Sequence, residues 1–222
     1  MPAPPDDLPA APHGSALDRW SGAPDRDCAY VPIDGLLGAL FAGGQSRRMG
    51  RDKAAEPALG GAPSLERALA ALRAAAPEVA VLGRPFGPAQ DGVRYIPDLS
   101  PGEGPAVALA ALSDRQPGRP LLTCPVDAPR LTAAALRWLG AVGPAGGVLH
   151  LEGEPQPVFA LWTPAALGRL RARVQAGDRA LWRAQVAAGL PRVDPPAALG
   201  PAFAQANTPA AWAALLSAPE RG

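Results

Sequence analysis

Short apolar runs and longer amphipathic stretches alternate along most of this chain. Residues 36–41 form a brief apolar run and predict a first strand. The apolar positions then recur at helical spacing. Ser64 stands where a cap belongs, and Leu65, Leu69 and Leu72 share one face of a predicted helix reaching about residue 75. Strands are predicted over 78–82 and 92–96, the latter leading to Asp98. Pro105 can occupy the first turn of a helix through 112. A buried strand is expected over 121–123, running on to Asp127, and Thr132 caps a helix to about 142. Two later strands, 147–151 and 158–162, flank a connection containing Glu and Pro. Helices are expected over 165–176, 180–188 and 209–216. This alternation predicts an α/β fold: one domain, a three-layer sandwich with a mostly parallel, Rossmann-like sheet. No internal repeat and no second domain is visible.

The pattern begins at residue 35. Residues 1–34 are rich in Pro and Ala, carry scattered charge and have no periodic apolar face. Such a composition buries too little apolar surface to offset the entropy of ordering. The expectation is a flexible tail over 1–34, or an upstream start codon, followed by a domain over 35–218. A partner-docking tail anchored by Trp20 is the functional alternative.

Composition narrows the picture only modestly. The chain has 222 residues, enough for one sizeable core. Its formal net charge of +1 points to neither nucleic acid nor an anionic membrane surface. Aromatic residues are 5% of the chain, so Leu, Val and Ala must fill the interior. Two cysteines, Cys28 and Cys124, do not make a disulfide framework. Both are expected to be reduced, the first residues lack the apolar core of a signal peptide, and no apolar run reaches the roughly 18 residues of a membrane span. A cytoplasmic protein is the expectation.

The chemistry concentrates at residues 40–53, Leu-Phe-Ala-Gly-Gly-Gln-Ser-Arg-Arg-Met-Gly-Arg-Asp-Lys. A strand opens into a glycine-rich turn that carries Arg47, Arg48 and Lys53. Glycines let backbone approach a ligand closely, and the cations suit phosphate. No Gly-Lys-Ser/Thr ends the loop, so it is not a Walker-type phosphate loop. The glycine spacing also departs from the dinucleotide fingerprint. In open α/β sheets, ligands bind beyond the carboxyl ends of the strands, near the switch in strand order. Asp98 and Asp127 fall at such ends together with the glycine loop. On residue chemistry alone, Asp98 also fits a turn before proline, and Asp127 also fits a turn ahead of the Thr132 helix.

The 40–53 run resembles the nucleotidyltransferase signature of the molybdenum cofactor guanylyltransferase family, approximately Leu-Ala-Gly-Gly-x-Ser/Ala-x-Arg-Met-Gly-x-Asp-Lys. Phe41 replaces the leucine; Ala42, Gly43, Gly44, Ser46, Arg48, Met49, Gly50, Asp52 and Lys53 match. The resemblance extends from about residue 35 to 216 and implies a nucleotidyltransferase fold. It implies a Mg²⁺-dependent enzyme that transfers GMP from GTP to molybdopterin, giving a guanine dinucleotide cofactor and pyrophosphate. Lys53 would grip the triphosphate, Arg48 would assist, and Gly43 and Gly44 would offer N–H groups to phosphate. Backbone groups at Phe41 and Ala42 would help read the base. Asp98 would contact the nucleotide, and Asp127, within Thr-Cys-Pro-Val-Asp-Ala-Pro, would bind both nucleotide and Mg²⁺. Transient contact with molybdoenzymes or other cofactor-synthesis proteins is implied as well.

Three segments depart from the family pattern or match it loosely. After Gly104 and Pro105 come Ala106, Val107 and Ala108, where the family has a leucine and a second glycine. Asn207-Thr208-Pro209 matches an Asn-Thr-Pro element, but Gln205 stands where relatives often carry asparagine; Thr208-Pro209 is also a plain helix start. The segment 156–161 resembles a Pro-x-Phe/Ile-Ala-Leu strand and is expected to wall the acceptor side. His150 is expected to be a satisfied surface histidine. Rival assignments are a cytidylyl- or sugar-nucleotide transferase of the same fold, and a nucleotide- or cofactor-binding chaperone without turnover. Asp127-Ala128-Pro129 resembles the guanylyl branch more than the Asp-Gln-Pro of the cytidylyl relatives.

Overall fold

In the computed structural model, which describes residues 33–43, 52–83, 91–97 and 102–219, side chains of successive strand residues point alternately into two separate cores. Along β1 (Leu37–Phe41), Leu40 faces one core while Leu37 and Ala39 face the other. β2 (Glu78–Gly83) divides Val79 and Val81 from Ala80 and Leu82 in the same way. A strand apolar on both faces must be covered on both, so the sheet is the middle of three layers.

The remaining elements are α1 (Ser64–Arg73), β3 (Val93–Pro97), α2 (Pro105–Arg115), β4 (Leu121–Pro125), α3 (Ala133–Gly140), β5 (Gly147–Leu151), β6 (Glu154–Trp162), α4 (Pro164–Gln175), α5 (Leu181–Ala188), β7 (Arg192–Val193), a 3₁₀ turn (Gly200–Phe203) and α6 (Pro209–Ser217). The sheet order is β3-β2-β1-β4-β6-β5-β7. β6 runs antiparallel to both of its neighbours, and the other pairings are parallel. α1, α3 and the 3₁₀ turn cover one face, where Phe203 packs edge-on to Phe159 at 5.1 Å. α2, α4 and α5 cover the other face. The expected mostly parallel three-layer sandwich is the observed fold.

Helix starts follow their local chemistry. Thr132, Thr163 and Thr208 each accept a hydrogen bond from the backbone N–H three residues on, at 3.1–3.2 Å, and Pro164 and Pro209 occupy the first turns of α4 and α6. Ser64 departs from expectation: it is the first residue of α1 and caps nothing, with Pro63 in the cap position. β6 begins four residues earlier than predicted because its first half pairs only with β5. β4 meets β6 only at Ala160–Trp162, so Pro155 and Pro157 interrupt no ladder on that side. Glu152 and Gly153, both at positive φ (53° and 88°), close the β5–β6 hairpin. β7 has only two residues and carries no period to read.

Gly83 shows how closely the strand ends approach the glycine loop. Its φ is +129°, and a Cβ there would sit 2.6 Å from the Gly43 nitrogen. Only glycine meets both conditions. Among the described residues, no helix is long and apolar enough to cross a membrane.

Candidate active site

β1 leads through α1 to β2 on one side, whereas β4 lies against the other side of β1. The order therefore switches between β1 and β4, and their carboxyl ends frame the crevice where α/β sheets bind ligands. Asp127 leaves β4 at this point. The preceding residue is held on both sides: Val126 N–H donates to Phe41 O at 3.2 Å, and Val126 O accepts from Ser64 Oγ at 2.6 Å.

Lys53 reaches the same crevice from the loop between β1 and α1. A turn surrounds it, with Ala54 N–H donating to Asp52 Oδ1 (3.2 Å) and Ala55 N–H to Asp52 O (3.1 Å). The loop is sewn to α1, whose first-turn N–H groups would otherwise lack partners: Ser64 N–H donates to Glu56 O (2.8 Å) and Leu65 N–H to Ala54 O (3.1 Å). Lys53 Nζ lies 3.0 Å from Asp127 Oδ2, and each side chain is only 16% exposed. Nζ also donates to Asn207 Oδ1 at 2.6 Å.

Asn207 arrives on a third segment. Ala206 N–H donates to Asp127 O (2.9 Å), which sets the next residue over the lysine. α6 follows, and Trp212 Nε1 donates to Pro57 O (2.8 Å) in the Lys53 loop. Arg130, three residues past Asp127, donates to Leu215 O and Ala218 O at the far end of α6. The Lys53 loop, the end of β4 and α6 thus form one hydrogen-bonded unit.

Asp127 Oδ1 is buried and has no hydrogen-bond partner among the described residues. A buried carboxylate oxygen without a partner is costly, and such an atom at a ligand-binding edge fits a cation or a ligand donor. No cluster of three or more His, Cys, Asp or Glu suited to a metal occurs among the described residues. Mg²⁺ keeps several waters and uses one or two carboxylates with substrate phosphates, so an isolated Asp127 oxygen fits it.

Of the site residues expected from sequence, Lys53 and Asp127 come together directly. Phe41 O and Ala42 N–H are engaged by Val126 N–H and Leu82 O, and Gly43 is exposed beside Gly83. Gly44, Arg48 and Asp98 lie outside the described residues, as do Arg47, Cys28 and the segment 1–32. Gln205 Nε2 donates to Gln156 Oε1 at 2.8 Å, so these two side chains are mutually engaged.

His150 differs from expectation. It is buried rather than on the surface, its Nδ1 lies 3.3 Å from Gly153 O, and its Nε2 is buried without a partner among the described residues. Burial is the main influence on its pKa and pushes it below the ordinary imidazole value, with Arg192 acting in the same direction. The Cys124 thiol is fully buried, which raises its pKa far above the usual range and keeps it protonated. Sequence reasoning missed Ser64 and Trp212 as tethers of this site. Ser64 had a signal, a hydroxyl beside an otherwise apolar helix face, but its position masked it as a cap.

A family model for the MobA-like NTP transferase domain matches residues 38–189. A probable molybdenum cofactor guanylyltransferase of Deinococcus radiodurans is 38% identical over 151 residues, covering 66% of this chain and 77% of that protein. A molybdenum cofactor guanylyltransferase of Rhizobium meliloti is 37% identical over 159 residues, covering 67% and 72%. Among solved structures, molybdopterin-guanine dinucleotide biosynthesis protein A from Archaeoglobus fulgidus superposes with a TM-score of 0.60 at 19% identity, covering 81% of this chain and 96% of that one. At that identity the superposition speaks for the fold.

Proposed function

Because the chain belongs to the MobA-like NTP transferase family, we propose that it is a guanylyltransferase that moves GMP from GTP to the terminal phosphate of molybdopterin-bound molybdenum cofactor. The products would be a guanine dinucleotide form of the cofactor and pyrophosphate. The observation that carries this reading is the meeting of Lys53 and Asp127 at the β1/β4 switch, with Asp127 Oδ1 left without a partner among the described residues.

The chemistry needs little proton transfer. The acceptor phosphate is already an anion at neutral pH, so an oxygen of it can attack the α-phosphorus in line while the bond to the β-phosphate bridging oxygen breaks. Catalysis then consists of positioning and charge neutralisation. The Lys53 ammonium has three donors, and in the resting protein two are directed to Asp127 and Asn207. With a triphosphate in the crevice it can turn toward the phosphate oxygens, a motion its flexible stem permits. Asn207 and Asp127 hold it at the strand ends until then. Asp127 is the residue that would hold Mg²⁺. When bound, the ion would supply Lewis-acid stabilisation of charge on the α-phosphate and the departing pyrophosphate.

Incubation with Mg²⁺, molybdopterin and each nucleoside triphosphate in turn, followed by product mass, tests the assignment. GMP-containing product should exceed the CMP and AMP products by about a hundredfold or more, the scale of two unpaired polar groups on the wrong base at about 1–3 kcal/mol each. An equal yield with CTP would move the chain to the cytidylyl branch. No dinucleotide with any triphosphate would leave a binding role.

A further inference from the structure

We propose that Ser64 is a positioning residue that sets the Asp127 carboxylate against the Lys53 loop, a proposal that rests on the metal-holding role assigned to Asp127 above. Ser64 is 1% exposed, the first residue of α1, and its hydroxyl crosses 62 positions to Val126 O at 2.6 Å. Its own N–H donates to the O of Glu56, three residues past Lys53, at 2.8 Å. One residue therefore joins the lysine loop to the peptide just before Asp127.

The placement is not that of an ordinary helix cap. A serine at a helix start ordinarily turns its oxygen back to the helix N–H groups. Here the cap position is Pro63, which has no such oxygen, and the Ser64 hydroxyl is donated outward to a carbonyl at the strand end. The peptides on either side are held, Val126 N–H by Phe41 O and Asp127 O by Ala206 N–H, and Ser64 holds the Val126–Asp127 peptide between them at its carbonyl. Without the hydroxyl, that carbonyl has no donor among the described residues and the peptide can rotate. The carboxylate that follows then swings relative to Lys53, because small errors in a supporting contact become larger ones at the side-chain tip.

The test measures Mn²⁺ binding by EPR with GTP present, alongside the Mg²⁺ dependence of turnover and the thermal midpoint, in Ser64→Ala, Ser64→Thr, Asp127→Ala and the Ser64→Ala/Asp127→Ala pair. Ser64→Ala should weaken Mn²⁺ about tenfold, the usual scale of losing a supporting contact to a metal ligand. It should raise the Mg²⁺ needed for half-maximal turnover by a similar factor, and Ser64→Thr should restore most of the loss. In the Asp127→Ala background, Ser64→Ala should cause no further change in the residual Mn²⁺ signal. A lowered thermal midpoint in Ser64→Ala with unchanged Mn²⁺ affinity would overturn the proposal and leave Ser64 as packing. So would additive effects in the pair, or a folded Ser64→Thr protein as impaired as Ser64→Ala. If Asp127→Ala itself leaves Mn²⁺ binding unchanged, the metal role of Asp127 falls first and the positioning role with it.

Discussion

Replacing both members of the central ion pair should make the protein more stable while abolishing its activity. Lys53 Nζ and Asp127 Oδ2 are 3.0 Å apart and largely shielded from solvent. Their gross attraction at that distance is about 5–6 kcal/mol at an effective dielectric near 20, but most of it is offset by the loss of hydration of two charges. Asp127 also carries a buried oxygen without a partner among the described residues, a burden of about 1–3 kcal/mol. In Lys53→Met/Asp127→Leu, side chains of similar volume remove both charges and the orphaned oxygen together. The expected gain is about 1–2 kcal/mol. Since 1 kcal/mol moves the midpoint of a domain this size by about 2–4 °C, calorimetry should show a rise of about 2–8 °C. Lys53→Met alone should do the opposite and lower the midpoint, because it strands a poorly hydrated carboxylate. The contrast in sign between the single and the double variant is the decisive measurement. If the double variant melts below the parent, the pair is a net stabilising bridge. Asp127 would then be kept for stability, not for a ligand.

Lys53→Ala should preserve the fold and reduce turnover by roughly 10²–10³, the scale of one preorganised charge donor; unaltered steady-state turnover would take Lys53 out of the site. Removing residues 1–32 should leave the thermal midpoint within error, because their sequence carries no periodic apolar face, whereas a deletion that also takes Ile33, which packs against the core, should lower it. For His150, burial lowers the native pKa below its ordinary 6.5. The unfolded chain therefore binds the proton more readily, and this group's contribution to stability is complete above about pH 6.5 and is lost as pH falls further. Melting of His150→Leu should depend less on pH between about 7.5 and 5.5 than melting of the parent; identical slopes would show that the imidazole is not excluded from its proton.

The β-strand and helix periods, the threonine caps of α3 and α6, and the glycine-rich basic loop ending in Lys53 are written in local spacing. Local spacing is what backbone geometry and side-chain burial select directly, and so the sandwich and its mostly parallel sheet are legible in the chain itself, whereas the roles expected of Lys53 and Asp127 come from the resemblance of their segments to the guanylyltransferase signature. Strand order is not, because β6 differs from its neighbours in direction and not in composition. Neither is the meeting of Lys53 with Asp127, 74 residues away, and Asn207, 154 away, which depends on β1 and β4 lying side by side. The same limit applies to Ser64. Its position at a helix start predicts a cap, yet the hydroxyl turns to Val126 O. The first-turn N–H groups of Ser64 and Leu65 already have Glu56 O and Ala54 O, and the carbonyl at the end of the strand has the greater need. A sequence specifies which groups seek partners; only the packed sheet decides which partner each one reaches, since that choice depends on distances between segments far apart in the chain.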